Sequence, residues 1–183
     1  MSRIIIVSGS PTANSRLNGL IDYVEERWKE EDIALSHIRV ADLPAEALIR
    51  ADFGHPAIVE AAAQVEAADA VVLASPVYKA SYTGVLKTFL DLLPQTGLKG
   101  KLALPLFIGG TMAHLLAIDY SLNPLVHALG GRHVLSGVYA IDQWVERLEG
   151  GGYRLSDELQ QRLDAAANQL SDELAWRERR AKG

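Results

Sequence analysis

The chain alternates short, continuous apolar runs with stretches in which apolar residues recur every three or four positions. The first run, Ile4-Ile5-Ile6-Val7, is β-branched throughout and stops at Ser8-Gly9-Ser10-Pro11. An unbroken apolar run predicts a strand covered on both faces, as in a parallel sheet; strict alternation would predict one wet face. Leu17, Leu20, Ile21, Val24 and Trp28 then mark one stripe of an amphipathic helix, with Glu25, Glu26, Lys29 and Glu30 on its wet side. A weakly patterned strand follows at residues 35–40, and an alanine-rich helix at 58–68. Ala70-Val71-Val72-Leu73-Ala74 repeats the buried-strand pattern and ends at Ser75-Pro76. Residues 84–93 read as a helix that Pro94 closes. Residues 102–108 form the next buried strand, ending at Gly109-Gly110-Thr111. Residues 115–129 read as a helix that Pro124 must bend or split, because proline deletes a backbone hydrogen bond. Residues 133–141 give the last strand. After the turn Gly150-Gly151-Gly152, Ser156 caps a final helix whose stripe is Leu159, Leu163, Ala166, Leu170 and Leu174.

Strand and helix thus alternate about five times, which predicts a three-layer α/β sandwich with helices on both faces of a five-stranded parallel sheet. No linker or repeat divides the 183 residues, so the expectation is one domain over residues 1–183. Such sheets bind ligands at the C-terminal ends of their strands. Composition narrows the function classes. A net charge of −5 and no concentrated basic face argue against nucleic acid or an anionic membrane as partner. The basic cluster at residues 177–182 reads as a solvated helix end. No apolar run approaches the ~20 residues of a membrane span, and the chain has no cysteine. Thiol catalysis and thiolate metal sites are excluded, and a cytoplasmic location is expected. The histidines lack metal-ligand spacing and read as solvated or capping groups, so no metal is expected.

Three loops after the long strands carry candidate chemistry. Ser8 to Arg16 is rich in hydroxyls at a helix N-terminus, a setting that suits a phosphate dianion, with Arg16 available for a charge-assisted contact. One glycine in this loop is too few for the dinucleotide fingerprint, and no Gly-Lys-Ser/Thr marks a P-loop. Pro76-Val77-Tyr78-Lys79 can wall one side of a ring system, and Gly109-Gly110-Thr111 lets backbone approach a planar ligand. Each loop also has a plain reading: a capped polar turn, a cover for the core's edge, a strand terminator. Their shared position at one sheet edge is what favours a ligand site.

Taken together, Ser8-Gly9-Ser10-Pro11 with Ser15-Arg16, Pro76-Val77-Tyr78-Lys79 with Thr83-Gly84, and Leu86-Lys87-Thr88-Phe89-Leu90-Asp91 resemble the NADPH-dependent FMN reductase family. Leu98-Lys99-Gly100-Lys101, Gly109-Gly110-Thr111 and His114-Leu115-Leu116-Ala117-Ile118-Asp119-Tyr120 are similar to the flavin reductases of alkanesulfonate monooxygenase systems. The resemblance implies a flavodoxin-like fold and a site at Ser8, Ser10, Pro11, Ser15, Arg16 and Leu17 for the FMN phosphate. It places the isoalloxazine against Pro76, Val77, Tyr78 and Lys79, with Gly109, Gly110 and Thr111 at its other edge. It further implies hydride transfer from NADPH to FMN, release of reduced FMN to an FMNH2-dependent monooxygenase in sulfonate metabolism, and a homodimer or homotetramer with Tyr120 in a subunit interface. Many relatives carry an arginine directly after the Gly-Ser pair, where this chain has Pro11-Thr12.

Hydride transfer between nicotinamide and flavin is the cofactors' own chemistry, so no catalytic acid, base or nucleophile is expected. His114 is the nearest titratable group and reads as structural or binding. Two alternatives share the fold: a prosthetic-FMN quinone or azo reductase, and a pure electron carrier of the flavodoxin type. The sequence leaves NADPH and NADH both open.

Overall fold

The computed structural model describes residues 1–181; of the basic cluster at 177–182, Lys182 lies outside the described residues. The central strands are β1 (Ser2–Ser8), β2 (Ile33–Arg39), β3 (Ala70–Tyr78) and β5 (Leu102–Gly109). They pair in parallel in the order β2-β1-β3-β5. Two short strands, β6 (His133–Val134) and β7 (Val138–Ile141), share the fifth position, both parallel to β5. This is the expected flavodoxin-like sheet. The continuous apolar runs of β1, β3 and β5 are buried along nearly their whole length because both faces are covered.

One face packs against α2 (Ala45–Ile49), α3 (Pro56–Ala67), α4 (Gly84–Leu90) and α5 (Asn123–Ala128), through Val7, Leu73 and Phe107 from the strands and Leu48, Phe89 and Val126 from the helices. The other packs against α1 (Leu17–Lys29) and α6 (Asp157–Ala181), through Ile6, Val72, Leu104, Trp28 and Leu163. The Trp28 indole is fully buried there and donates to the Ala167 carbonyl at 3.4 Å, tying α1 to α6. Ser156 caps α6 as expected, its Oγ accepting from the Leu159 N–H at 3.3 Å.

The fifth strand is broken where the sequence reads it as continuous, and the cause sits on β5. The Leu135 N–H donates to the Ala103 carbonyl at 2.8 Å, so residues 103 and 105 direct their backbone groups toward the fifth position. Residue 105 is proline, with no N–H to give, and the ladder lapses until Leu106 meets Val138. Gly137 crosses the gap at φ 70°, so close to the Pro105 carbonyl that a side chain would collide with it.

Residues 115–129 are likewise not one helix. A 3₁₀ turn at Met112–His114 is followed by a π-helical turn at Ile118–Leu122, and only then by α5 with Pro124 in its first turn. Pro124 cannot donate to the Tyr120 carbonyl; the Asn123 N–H instead reaches back to the Ile118 carbonyl, one residue beyond α spacing. Ser121 donates its hydroxyl to the Ala117 carbonyl within the same turn. The bend or split expected from Pro124 is present, as a π turn just before it.

Three further differences bear on the site. The strand expected to stop at Ser75-Pro76 runs on to Tyr78 and turns back into β4 (Ser81–Tyr82). The two turn residues, Lys79 and Ala80, both have positive φ, 52° and 64°, the twist that a two-residue hairpin requires. The helix expected to reach Leu93 ends at Leu90. Finally, a hairpin of β8 (Val145–Arg147) and β9 (Tyr153–Leu155) brackets the triple glycine; two of its glycines, Gly151 and Gly152, take positive φ.

Candidate functional site

The loop from Ser8 to Arg16 leaves β1 and enters α1. Its first turn is less open than a bare helix N-terminus. The Leu17 N–H donates to Ser15 Oγ at 3.2 Å, the Asn18 N–H to the Ser15 carbonyl at 3.0 Å, and the Gly19 N–H to the Arg16 carbonyl at 3.0 Å. An anion here therefore relies on side chains more than on orphan amides. Ser15 still has its own proton to give, since a hydroxyl that accepts one bond can donate another. Ser10 has spent its proton on the Thr12 carbonyl at 3.0 Å, and its Oγ accepts from the Thr12 N–H at 3.3 Å. Ser8 is buried with its hydroxyl 2.9 Å from His37 Nε2, and His37 Nδ1 lies 3.4 Å from Glu25 Oε1. His37 is thus neither solvated nor a helix cap, as its isolation in the sequence suggested, but a bridge between β1 and α1. Leu17 is fully buried in the core beneath α1, so its side chain faces no ligand.

The second segment is held rigidly from behind. Ser75 is fully buried, accepts from the Thr83 N–H at 2.9 Å and donates to the Pro76 carbonyl at 2.8 Å. Thr83 caps α4 and donates to the Gly9 carbonyl at 2.5 Å, so the phosphate loop and the Pro76 wall share one anchor. Tyr78 stands 53% exposed at the strand's end, and Lys79 sits at the hairpin tip. Burial pushes the Tyr82 phenol up from its ordinary pKa.

In the third segment the two glycines have different reasons. A Cβ on Gly109 would overlap the hydroxyl of Tyr139, so this glycine makes room for a protein side chain and not for a ligand. A Cβ on Gly110 would meet nothing, which leaves its backbone open to a flat ring. Thr111 is committed to local structure: its Oγ1 accepts from the Ala113 N–H at 3.3 Å and its carbonyl from the Tyr139 hydroxyl at 2.7 Å. Burial, and behind it the charge of Asp142, raises the Tyr139 pKa.

These segments meet in one cleft of about 190 Å³. Of the residues singled out by sequence, Ser15, Arg16, Pro76, Val77, Tyr78, Gly109 and Gly110 line it; Ser8, Ser10, Pro11, Leu17, Lys79 and Thr111 do not. Thr12, Ile108, Asp142 and Arg147 also line it and escape the sequence reading. Arg147 comes from β8, where the alternation Val145-Glu146-Arg147 before three glycines and Tyr153-Arg154-Leu155 after them is a hairpin signature that marks the segment as structured. Arg16 and Arg147 bring two cations to the cleft beside one carboxylate, Asp142, while Pro76, Val77 and the Gly110 backbone add uncharged surface. Such a division fits FMN, a dianionic phosphate on a ribityl chain ending in a flat uncharged ring. Among the described residues no group of three or more acidic, histidine or cysteine side chains could hold a metal ion, and no helix is long and apolar enough to cross a membrane.

The doubly wound sheet, with this cleft lined by residues from its strand-end loops, is a flavodoxin-like α/β fold. The chain belongs to the NADPH-dependent FMN reductase family, whose model matches residues 2–146. It is 44% identical to FMN reductase (NADPH) of Escherichia coli K12 over 143 residues, 78% of this chain and 75% of that protein. It is 31% identical to an NADH-dependent FMN reductase of Pseudomonas putida over 142 residues, 75% of this chain and 76% of the relative. Among solved structures, the apo form of an NADH:FMN oxidoreductase superposes with a TM-score of 0.85 at 38% identity, covering 95% of this chain and 90% of that one.

Proposed function

We propose that the protein is an NAD(P)H:FMN reductase that passes hydride to FMN and supplies the reduced flavin to a separate monooxygenase, in sulfonate desulfonation. The observation that carries the reading is the meeting of Ser15, Arg16 and Arg147 with Pro76, Val77 and Gly110 in one cleft. When bound, FMN supplies the electron-accepting ring. The chain's residues bind and orient: Ser15 and Arg16 hold the phosphate, with Ser10 shaping the loop, while Pro76 to Tyr78 support one edge of the ring and Gly110 admits the other. None of them needs to move a proton for hydride to pass.

The size of the cleft supports flavin exchange. Sites that engulf a ligand of this size enclose roughly 300–1,000 Å³, and this cleft holds about 190 Å³. A cleft this small encloses only part of a flavin, which favours exchange over tight retention. Tyr120, 79% exposed on the π turn beside the half-exposed Leu116, supplies the kind of amphipathic surface that subunit interfaces use, and we assign it to one. The test is to follow NADPH and NADH consumption with and without added FMN. Consumption that saturates with added FMN, by protein isolated largely colourless, supports the reading. Stoichiometric flavin surviving gel filtration would point instead to a prosthetic-flavin quinone or azo reductase.

A further inference from the structure

The β8–β9 hairpin and the loop at residues 8–16 are clasped by two arginines, each bonding a backbone carbonyl of the opposite segment. Arg16, on the loop, donates from Nε to the Val145 carbonyl on β8 at 2.9 Å. Arg147, on β8, donates from Nη2 to the Asn14 carbonyl on the loop at 2.7 Å. Each guanidinium spends one N–H on this exchange and keeps others, because arginine carries five in a planar fork. Both side chains line the same cleft.

The hairpin is seated, not draped. Val145 and Leu155 are buried in the core that α1 and α6 share, and Glu146 pairs with Arg154 at 3.0 Å on the outer side. Gly19, in the first turn of α1, lets the hairpin come close: a Cβ there would sit 2.9 Å from Tyr153 Cβ and 3.0 Å from Val145 Cγ1. Arg147 is therefore carried to the phosphate loop by a packed element, and its contact to Asn14 holds the fork over that loop. Within the loop, Pro11, Thr12, Ala13 and Asn14 carry no charge, which leaves Arg16 as its one cation.

We propose that Arg147 is the second cationic partner of the flavin's terminal phosphate, and that the hairpin thereby makes the site selective for phosphorylated flavin. The inference rests on the flavin reading above. A phosphomonoester carries −1.5 to −2 charges near neutral pH, more than one guanidinium balances. Two forks lining the same cleft offer paired, charge-assisted bonds that a riboflavin hydroxyl cannot exploit. Asp142, also on the cleft wall, adds a carboxylate that disfavours any anion not met by both arginines.

The test is to titrate FMN and riboflavin onto the whole protein by quenching of flavin fluorescence, comparing wild type with Arg147→Met, Arg147→Lys and Arg16→Met. Wild type should prefer FMN. Arg147→Met should lose FMN affinity tenfold or more while riboflavin affinity stays within about twofold, and Arg147→Lys should recover part of the loss. Riboflavin binding also reports folding, so a parallel loss of both ligands with a lowered melting temperature is read from Arg147→Lys alone. An unchanged FMN-to-riboflavin ratio in Arg147→Met, with the ratio lost in Arg16→Met, would overturn the role of Arg147 and leave the flavin site standing. Wild type that binds neither flavin would overturn the flavin reading itself.

Discussion

The hydroxyl of Tyr139 fills the space that a side chain on Gly109 would need, and from there it donates to the Thr111 carbonyl at 2.7 Å. One tyrosine on β7 thus sets the position of the strand-end loop that borders the cleft. Replacing Gly109 with alanine should destabilise the fold by about 1–3 kcal/mol, the usual cost of forcing a methyl into a packed site. Tyr139→Phe alone should cost about 0.5–1.5 kcal/mol for the lost hydrogen bond. Because the phenylalanine lacks the colliding oxygen, the double variant should be less damaged than the two costs added. Strict additivity in chemical denaturation would show that the two residues do not compete for this space.

The same tyrosine makes stability depend on alkali. A phenol whose pKa is raised in the folded state binds its proton more tightly there, so its contribution is full below the unfolded value and is lost as pH rises through the folded one. Tyr82, raised by burial, acts in the same direction. Melting temperature should fall as pH climbs above about 10, the ordinary phenol value, and the fall should be shallower in Tyr139→Phe. A fall of equal steepness in wild type and variant would remove Tyr139 from the account.

Ser10 and Ser15 should separate. Ser15→Ala loses both the free proton offered to the phosphate and the acceptor for the Leu17 N–H, so FMN affinity should drop by about tenfold and stability by about 1 kcal/mol. Ser10→Ala should cost FMN affinity less, because that proton already serves the Thr12 carbonyl. The double variant should bind FMN at least tenfold more weakly, with circular dichroism unchanged. A titration in which Ser10→Ala is the more damaging, or the double variant binds normally, contradicts this division.

The π turn yields a prediction about assembly. If Tyr120 lies in a subunit interface as proposed, Tyr120→Ala should weaken the oligomer in sedimentation and raise FMN retention. Sedimentation identical to wild type, with unchanged FMN affinity, would take Tyr120 out of the interface.

How far the sequence carried this picture depends on distance along the chain. The runs in β1, β3 and β5 were readable because burial on both faces leaves an unbroken apolar signature. The π turn was readable too, since Pro124 and the Tyr120 carbonyl it fails to serve lie four residues apart. The break at residues 135–137 was not, because its cause is Pro105 on the neighbouring strand. Arg147 was missed for the same reason: it meets Asn14 only after the whole sheet has formed. Gly109 lines the cleft, but that its missing side chain makes room for Tyr139 was not readable, because a glycine looks alike whether a ligand or a tyrosine takes its room.

The central claim, that this cleft brings a nicotinamide to bound FMN, is tested most directly without oxygen. Protein mixed with FMN and then with NADPH under anaerobic conditions should bleach the flavin's visible absorbance as NADPH is lost, one for one. Riboflavin in place of FMN should need a higher concentration to reach the same rate. Flavin that stays oxidised while bound, with NADPH or with NADH, would contradict the account.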